Sequence, residues 1–278
     1  MELYKKNSFQ CSKITTLNYS TSFSMGIKLF KKKYRMPIYA IYGFVRFADE
    51  IVDTFHDFDK EKLLQKFKED TWDAIKTNIS TNPILHSFQE VVNEYKIDHK
   101  LIEDFLYSME MDLTKQNYKH YEQKKYIYGS AEVVGLICLK IFYKNEDEEY
   151  NKLLSPARKL GEAFQKINFL RDIKDDYHNK NRIYFPNVDL TNFIETEKKL
   201  IEKEIWKDFD EAYKGIMNLK KDVRFGVLLA YKYYLKLLKN IEKTPANEIL
   251  KKRVRVSNFR KVLLYLYFFI RQKIDLTF

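Results

Sequence analysis

The sequence predicts an all-α protein, and composition and helical periodicity are the two observations behind that prediction. Only 7 Gly and 5 Pro accompany 21 Phe and 21 Tyr in 278 residues. Long uninterrupted helices are therefore easier to build than a sheet that needs many tight turns. Because 45% of the residues are hydrophobic, the chain can bury a sizeable core. We expect one helical domain that spans residues 1–278.

Helical periodicity recurs along the whole chain. It predicts helices over 20–30, 38–55, 62–79, 84–95, 100–115, 121–143, 150–177, 200–219, 223–241 and 258–273. Several breaks contain proline, such as TNP before Ile84 and TPAN before Glu248, and proline is tolerated in the first turn of a helix. The sequence shows no internal repeat and no Ser/Gly-rich linker, which favours a single domain.

The net charge of +11 suits nucleic acid, an anionic membrane surface or a polyanionic substrate. A nucleic-acid face needs cations collected on one stripe with aromatic residues between them. Here lysine is scattered through nearly every segment. We therefore expect no nucleic-acid partner.

Cysteine usage and hydropathy indicate a cytoplasmic location. Cys11 and Cys138 form no disulfide framework, which favours a reducing cytosol. The N-terminus lacks the apolar run of a signal peptide. The longest apolar run, VLLYLYFFI at 262–270, is far below the roughly 20 residues of a spanning helix. Its length favours a core helix, with peripheral contact at the inner face of the cell membrane as the alternative.

The stretch RFADEIVDTF at 46–55 places acidic residues in an otherwise apolar helix. At about 100° per residue, one helix face carries Ile38, Tyr42, Val45, Arg46, Asp49, Asp53 and His56. The two carboxylates lie about 6 Å apart along the axis. A solvent-exposed face is the simpler interpretation of such spacing, but the apolar members favour a half-buried face. We expect His56 to be a surface residue at the helix end.

A second polar stripe lies in the second half of the chain. Six residues lie on one face of the predicted helix over 150–177 and its C-terminal end: Gly161, Gln165, Asn168, Asp172, Asp176 and Asn179. The stripe contains no lysine, although the chain is rich in lysine. Oxygen donors repeated in this way suit a hard cation such as Mg²⁺, whereas a structural polar face is the alternative.

Two such stripes together favour a site over two unrelated surfaces. Mg²⁺ held by one or two carboxylates normally completes its coordination with water and substrate phosphates. Arg46 and Arg171 add cations suited to phosphate oxygens. The residues themselves therefore predict a diphosphate substrate.

These motifs resemble those of the squalene/phytoene synthase family, the head-to-head branch of the trans-isoprenyl diphosphate synthases. YGFVRFADEIVD matches the first family motif and AFQKINFLRDIKDDYHNKNRIYFP matches the second. Further similar blocks are STSF at 20–23, SMEMDL at 108–113, YIYGSAEVVG at 126–135 and RVRVSNFRK at 253–261. The resemblance covers essentially the whole chain and implies the isoprenoid synthase fold, with two Asp-rich helices facing across a deep apolar pocket.

The resemblance also implies roles for individual residues. The catalytic aspartates would bind Mg²⁺, or Mn²⁺ in its place: Asp49 and Asp53 at one diphosphate, and Asp172 and Asp176 with Asn168 at the other. Diphosphate oxygens would be contacted by Ser20, Ser22, Arg46, Gln165, Arg171, Tyr234 and Arg182. Tyr231 and Tyr233 compete with Tyr234 for its assignment, because all three occur in YKYY.

Two positions depart from the family pattern. Thr21 stands where many members have a basic residue inside Ser-x-Ser, and Lys180-Asn181-Arg182 replaces a common Arg-Gly-Arg. Lys180 keeps the positive charge of the first arginine, and Arg182 is retained. Neither departure affects a residue expected to bind the metal.

The implied activity is the head-to-head condensation of two geranylgeranyl diphosphates to phytoene through a cyclopropylcarbinyl diphosphate. The alternative is a farnesyl diphosphate-using dehydrosqualene or squalene synthase, and NADPH is expected only for squalene. An alternative of another class is a non-catalytic assembly factor with the same fold. Tyr42, Phe23, Phe164 and Phe169 are candidates to shield a carbocation, with simple core packing as their alternative.

Overall fold

The computed structural model describes residues 1–178, 182–186, 188, 190 and 193–275, and this part of the chain is almost wholly helical. Its α-helices are α1 (Glu2–Tyr19), α2 (Thr21–Lys28), α3 (Lys32–Asp53), α4 (Lys60–Thr77), α5 (Pro83–Tyr95), α6 (His99–Thr114), α7 (His120–Ile127), α8 (Val133–Phe142), α9 (Asp147–Lys152), α10 (Leu154–His178), α11 (Glu195–Asn218), α12 (Lys221–Glu242), α13 (Ala246–Ile249) and α14 (Asn258–Asp275). Among the described residues, extended pairing is limited to one parallel bridge between Asn117 and Ile183. The all-α prediction is confirmed.

Each predicted helical segment contains at least one observed helix, and the N-caps explain several of the starts. Ser20, Asp59, Asn82 and Asp98 each accept a hydrogen bond from a backbone N–H in the first turn of the following helix. These side chains satisfy donors that the helix itself leaves unpaired. Helices α1 and α13 were not predicted, and the predicted segment 150–177 begins inside α9 and continues through α10.

Helix α1 escaped prediction because its buried face is polar. Ser8, Ser12 and Thr16 are fully buried where α1 packs against α3 and α5. The Ser12 and Ser87 hydroxyls lie 2.7 Å apart. A Cβ at Gly43 would lie 2.7 Å from the Ser12 hydroxyl oxygen, so this glycine allows α1 and α3 to approach closely.

The predicted helix over 121–143 is interrupted by a π-helical segment, Tyr128–Glu132, between α7 and α8. Such segments are rare and often occur at functional sites. Gly161 of α10 packs on this segment, where a Cβ would lie 2.8 Å from the Ala131 carbonyl oxygen. The glycine in the second stripe therefore brings α10 close to the middle of the fold.

The two helices that carry the polar stripes, α3 and α10, both pack against α8. Within the described residues they make little direct contact with each other. Helix α2 contacts both α3 and α12, and α12 also contacts α10. Helices α2, α8 and α12 therefore connect the two stripe-bearing helices.

Helix α14 corrects one expectation. Within the apolar run 262–270 only Phe268 is buried, so the segment is a surface helix and the prediction of a core helix is wrong. A helix that is apolar on every side does not reveal from sequence which face is covered. No helix in the described part of the chain is long and apolar enough to cross a membrane.

Candidate active site

The first stripe lies on α3 and is half-buried, as expected. Tyr42, Arg46, Asp49 and Asp53 all keep partial exposure. The Arg46 guanidinium forms ion pairs with Asp49 and Glu50. It also lies over the Tyr19 ring, 4.4 Å from its centre. A fixed cation thus stands beside the first carboxylate of the stripe.

The start of α2 lies against the same face of α3. Ser20, the N-cap of α2, accepts a hydrogen bond from the Phe23 backbone N–H at 3.2 Å. Ser20 also lies near enough to the Tyr42 phenol to oppose the rise that burial causes in the pKa of Tyr42. Ser22 lies in the first turn of α2 and is half-buried. The predicted Ser-x-Ser motif is therefore next to the first stripe.

His56 does not belong to the stripe. Helix α3 ends at Asp53, and His56 is exposed, with its Nδ1 2.9 Å from Lys60 Nζ. The expectation of a surface histidine is confirmed.

The second stripe lies on α10, and its described members include polar side chains bonded to one another. Asn168 Nδ2 donates to Gln165 Oε1 at 3.3 Å, and Asn168 Oδ1 accepts from the Tyr234 hydroxyl at 3.2 Å. Asp176 is buried, whereas Asp172 is partly exposed. Asn179, Lys180 and Asn181 lie outside the described residues.

Two arginines pair with Asp172. Arg171 Nε donates to Asp172 Oδ1 at 3.0 Å, and Arg253 Nε lies 2.7 Å from the same oxygen. Burial lowers the pKa of Arg171, but its bond to Asp172 and the nearby charges outweigh burial and raise it. The family resemblance includes the block around Arg253 but implies no role for this residue. The contact brings the segment before α14 to the second stripe.

Tyr234 is the member of YKYY that faces the site. Its ring stacks on Phe164 with centres 3.8 Å apart. Tyr233 instead donates a hydrogen bond to the Lys261 carbonyl at 2.7 Å. Tyr231 packs edge-on against Phe209. Of the three tyrosines, Tyr234 is therefore the one whose hydroxyl bonds a member of the second stripe.

Aromatic side chains connect the two halves of the site. Phe23 stacks on Tyr42 with ring centres 5.0 Å apart. Burial raises the pKa of Tyr42, Arg46 opposes this shift, and Asp49 and Tyr234 add to it. Tyr42 on α3 therefore lies close enough to Tyr234 on α12 for their charges to interact. The two aromatic pairs, Phe23 with Tyr42 and Phe164 with Tyr234, are half-buried.

Arg182 joins the ends of the two stripes. Its Nη1 lies 2.8 Å from Asp53 Oδ1 on α3 and 3.8 Å from Asp112 Oδ2 on α6. Its backbone N–H donates to the Asp176 carbonyl of α10 at 2.7 Å. Burial lowers the pKa of Arg182, but the neighbouring Asp112, Tyr184 and Asp53 outweigh it and raise the pKa.

Asp112 is a buried carboxylate that sequence reasoning missed. It accepts hydrogen bonds from the hydroxyls of Tyr126 at 2.7 Å, Tyr184 at 2.9 Å and Tyr118 at 3.0 Å. Burial raises the pKa of Asp112, whereas Arg182 and the phenols of Tyr126 and Tyr184 oppose that shift. An aspartate in the apolar run of SMEMDL was the signal that could have found it.

This tyrosine cluster accounts for one of the aromatic candidates. Phe169 is buried and stacks on Tyr184, with ring centres 4.3 Å apart. It therefore packs behind the site rather than between the stripes. A pocket of about 460 Å³, lined in part by Val52, Asp112 and Arg182, opens on this side.

The donor chemistry of the stripes fits Mg²⁺. In the described residues, no three His, Cys, Asp or Glu side chains gather into a metal-binding cluster. Each stripe instead presents a few carboxylate or amide oxygens along one helix face. Mg²⁺ is typically bound by one or two carboxylates, with water and substrate phosphates as the other ligands. Sparse oxygen donors beside arginines agree with that pattern.

The comparison with known protein families identifies the chain. The model of the squalene/phytoene synthase family matches residues 16–260. The chain belongs to the squalene/phytoene synthase family. This family consists of prenyltransferases of isoprenoid biosynthesis, and both Asp-containing motifs lie inside the matched range.

Relatives within the squalene/phytoene synthase family match over nearly their full length. A 4,4'-diapophytoene synthase from Staphylococcus haemolyticus is 27% identical over 95% of this chain and 97% of the relative. A phytoene synthase from Arthrospira platensis is 25% identical over 93% of this chain and 91% of the relative. The relatives therefore include synthases named for each of the two products, diapophytoene and phytoene.

Solved structures confirm the fold. A dehydrosqualene synthase crystallised with a ligand matches with a TM-score of 0.80 at 22% identity, over 97% of this chain and 98% of that one. A squalene synthase from Alicyclobacillus acidocaldarius matches with a TM-score of 0.75 at 19% identity, over 87% and 95%. The predicted isoprenoid synthase fold is thereby confirmed.

Proposed function

We propose that this squalene/phytoene synthase family member joins two prenyl diphosphates head to head. One observation carries the proposal: two half-buried oxygen-donor stripes lie on α3 and α10, which both pack against α8, and Arg182 contacts a residue of each stripe. A reaction that consumes two diphosphates needs two such places. The family membership supports a prenyl chain as the remainder of each substrate.

Each stripe is assigned to one diphosphate. Asp49 and Asp53 would hold Mg²⁺ at the first, and Asp172 and Asp176 would hold it with Asn168 at the second. When bound, the metal supplies Lewis-acid stabilisation of the departing diphosphate. Manganese suits the same oxygen ligands.

Side chains of the protein supply the remaining contacts with the diphosphates. Arg46 and Ser20, with Ser22, would bind the diphosphate at α3. Arg171 and Gln165, with Tyr234, would bind the one at α10, and Arg182 stands between the two stripes. Arginine forms paired hydrogen bonds with phosphate oxygens, so these cations stabilise the charge that grows as the allylic C–O bond breaks.

The aromatic pairs would protect the cation that this step creates. Phe23 with Tyr42, and Phe164 with Tyr234, present ring faces that attract positive charge and carry no strong nucleophile. They also exclude water, which would capture the allylic cation. The double bond of the second prenyl chain can then attack, giving a cyclopropylcarbinyl diphosphate, whose ionisation and proton loss complete the reaction.

Geranylgeranyl diphosphate is our first choice of substrate, which makes phytoene the product without a reductant. The motifs FADEIVD and NFLRDIKDD favour this choice. Farnesyl diphosphate is the second candidate, because the relatives include a 4,4'-diapophytoene synthase at 27% identity. NADPH enters only if the product is squalene.

A non-catalytic assembly factor is disfavoured by the acids themselves. Asp53 is paired with a buried arginine, and Asp176 is buried. Buried or partly buried charges are costly to keep without a role. A non-catalytic protein with this fold would be expected to lose these acidic residues.

Product analysis tests the proposal. The purified chain is incubated with Mg²⁺ and either farnesyl or geranylgeranyl diphosphate, with and without NADPH, and the hydrocarbons are identified by mass spectrometry. We expect a C40 product from geranylgeranyl diphosphate without NADPH. A C30 product would assign the farnesyl branch, and diphosphate binding without turnover would favour the scaffold.

Matched variants connect the product with the stripes. Asp49→Asn and Asp172→Asn should each reduce turnover by about 10²-fold or more, because each removes charge that acts on the departing diphosphate. Asp175→Asn is the control, since Asp175 lies on the same helix as Asp172 but is exposed. Equal losses in all three variants would contradict the assignment.

A further inference from the structure

Helix α14 presents an apolar face to solvent. Six large apolar side chains on its outward side are each more than 40% exposed: Val262, Leu263, Leu266, Phe269, Ile270 and Ile274. They fall within an arc of about 140° at 100° per residue. Scattered exposed hydrophobic residues are ordinary, but a continuous apolar stripe on one helix marks an interaction surface.

The opposite side of α14 is fixed to the rest of the protein, so the apolar face is held outward. Phe268 is buried, and Gln272 Nε2 donates to the Leu29 carbonyl at 2.7 Å. The Lys261 carbonyl accepts from the Tyr233 hydroxyl at 2.7 Å. Helix α14 cannot turn its apolar face inward without breaking these contacts.

The charges around the apolar face of α14 indicate what kind of partner it binds. The sequence from 251 to 275 contains eight Lys or Arg and one acid, Asp275. Three of the cations, Lys251, Lys252 and Arg253, pair with acids elsewhere in the protein. Arg260 and Arg271 border the apolar face on one side, and Lys273 lies within it near the C-terminal end. Exposed cations beside an apolar helix face are the features by which amphipathic helices bind anionic lipid.

A second copy of the chain fits this surface poorly. A two-fold symmetric dimer places the same patch against itself. Such a contact would bring Arg260, Arg271 and Lys273 of two α14 helices together, and the apolar face carries no acid to pair with them. Anionic lipid, in contrast, complements both the apolar face and the charges.

We propose that the outward face of α14 binds the surface of an anionic membrane. The helix would lie in the plane of the interface, with Leu266 and Ile270 in the acyl region and Arg260 and Arg271 at the phosphates. This inference does not depend on the proposed reaction. It does place the membrane beside the site, because Arg253, five residues before α14, contacts Asp172.

Vesicle co-sedimentation of the full chain tests the proposal. Binding should be strong to vesicles of equimolar phosphatidylcholine and phosphatidylglycerol, and weak to phosphatidylcholine alone. The double variant Leu266→Ser/Ile270→Ser should weaken partitioning by about tenfold or more. Arg260→Gln and Arg271→Gln should each weaken it about fivefold on the anionic vesicles.

Two controls separate the surface from general effects. Leu200→Ser removes a leucine of α11 that is more exposed than Leu266 and Ile270, and it should leave partitioning unchanged. All variants should keep the parent melting temperature. In Tyr267→Trp, brominated lipids should quench the new tryptophan on α14, beyond any quenching of Trp72 and Trp206 in the parent. Absence of vesicle binding, or a dimer in light scattering that Leu266→Ser/Ile270→Ser dissociates, would overturn the proposal.

Discussion

Replacing Arg182 by glutamine removes the one cation that contacts both Asp53 and the buried Asp112 in the described structure. Arg182 and Asp112 are each 7% exposed, so solvent screens their interaction only weakly. Breaking a buried charge pair by removing one partner costs about 3–5 kcal/mol. The phenols that hydrogen-bond Asp112 remain, which favours the lower end of this range.

This loss of stability corresponds to a decrease in the melting temperature. Unfolding entropy of about 2.1 cal/mol/K per residue gives about 0.6 kcal/mol/K for 278 residues. A loss of 3–5 kcal/mol therefore lowers the Tm by about 5–8 °C. Thermal unfolding followed by circular dichroism measures it, and Lys174→Gln, which removes an exposed cation from α10, should change the Tm little.

The same variant makes a pH prediction. Burial already raises the pKa of Asp112 and Arg182 opposes the shift, so the variant raises that pKa further. A carboxyl with a raised folded-state pKa costs nothing below its unfolded pKa of about 4, and its cost grows with pH from there up to the folded-state pKa, above which it stays constant. The Tm difference between variant and parent should shrink from about pH 8 to about pH 5.

A second substitution completes the test. Asp112→Asn in the Arg182→Gln background removes the uncompensated charge and should recover part of the lost stability. A Tm within about 1 °C of the parent, well under the 5 °C minimum worked out above, would refute the reasoning. So would a loss that is equal at both pH values and is not relieved by Asp112→Asn.

Three further predictions concern packing and the site. Asp208→Ala should lower the unfolding free energy in urea by about 3 kcal/mol, because Lys166 is buried with its Nζ 2.7 Å from Asp208; a loss below about 1 kcal/mol would match a surface pair instead. Gly161→Ala should cost about 1–3 kcal/mol, since the new methyl group would lie 2.8 Å from a carbonyl oxygen; an unchanged urea midpoint would show that the helices can separate freely. Tyr234→Phe keeps the ring stack and loses one hydrogen bond to α10, so kcat/KM should fall about 2–10-fold, and an equal fall in Tyr233→Phe would contradict its assignment.

The sequence carries most of the information on the helices because apolar residues at helical spacing mark buried faces. It fails for α1, whose buried face consists of Ser8, Ser12 and Thr16. It also fails for the run 262–270, where uniform apolarity hides the side that is covered. In both cases the missing information is the partner surface, which only the tertiary structure supplies.

In the site, too, local features could be predicted from the sequence and long-range contacts could not. The stripes on α3 and α10 are local, since residues three or four apart share a helix face, and both could be predicted. The surroundings of Asp112 are not local, because Tyr184 comes from 72 residues away. Arg253 reaches Asp172 from a segment that follows α13. Long-range partners of this kind cannot be inferred from the spacing of one segment.

Binding stoichiometry tests the central claim most directly, which is that each stripe holds one diphosphate. Isothermal titration with a non-ionisable thio-analogue of geranylgeranyl or farnesyl diphosphate, in Mg²⁺, should give two analogues per chain in the parent. Asp49→Asn and Asp172→Asn should each reduce this to one, and Asp175→Asn should keep two. One analogue per chain in the parent, or two in both stripe variants, would contradict the account.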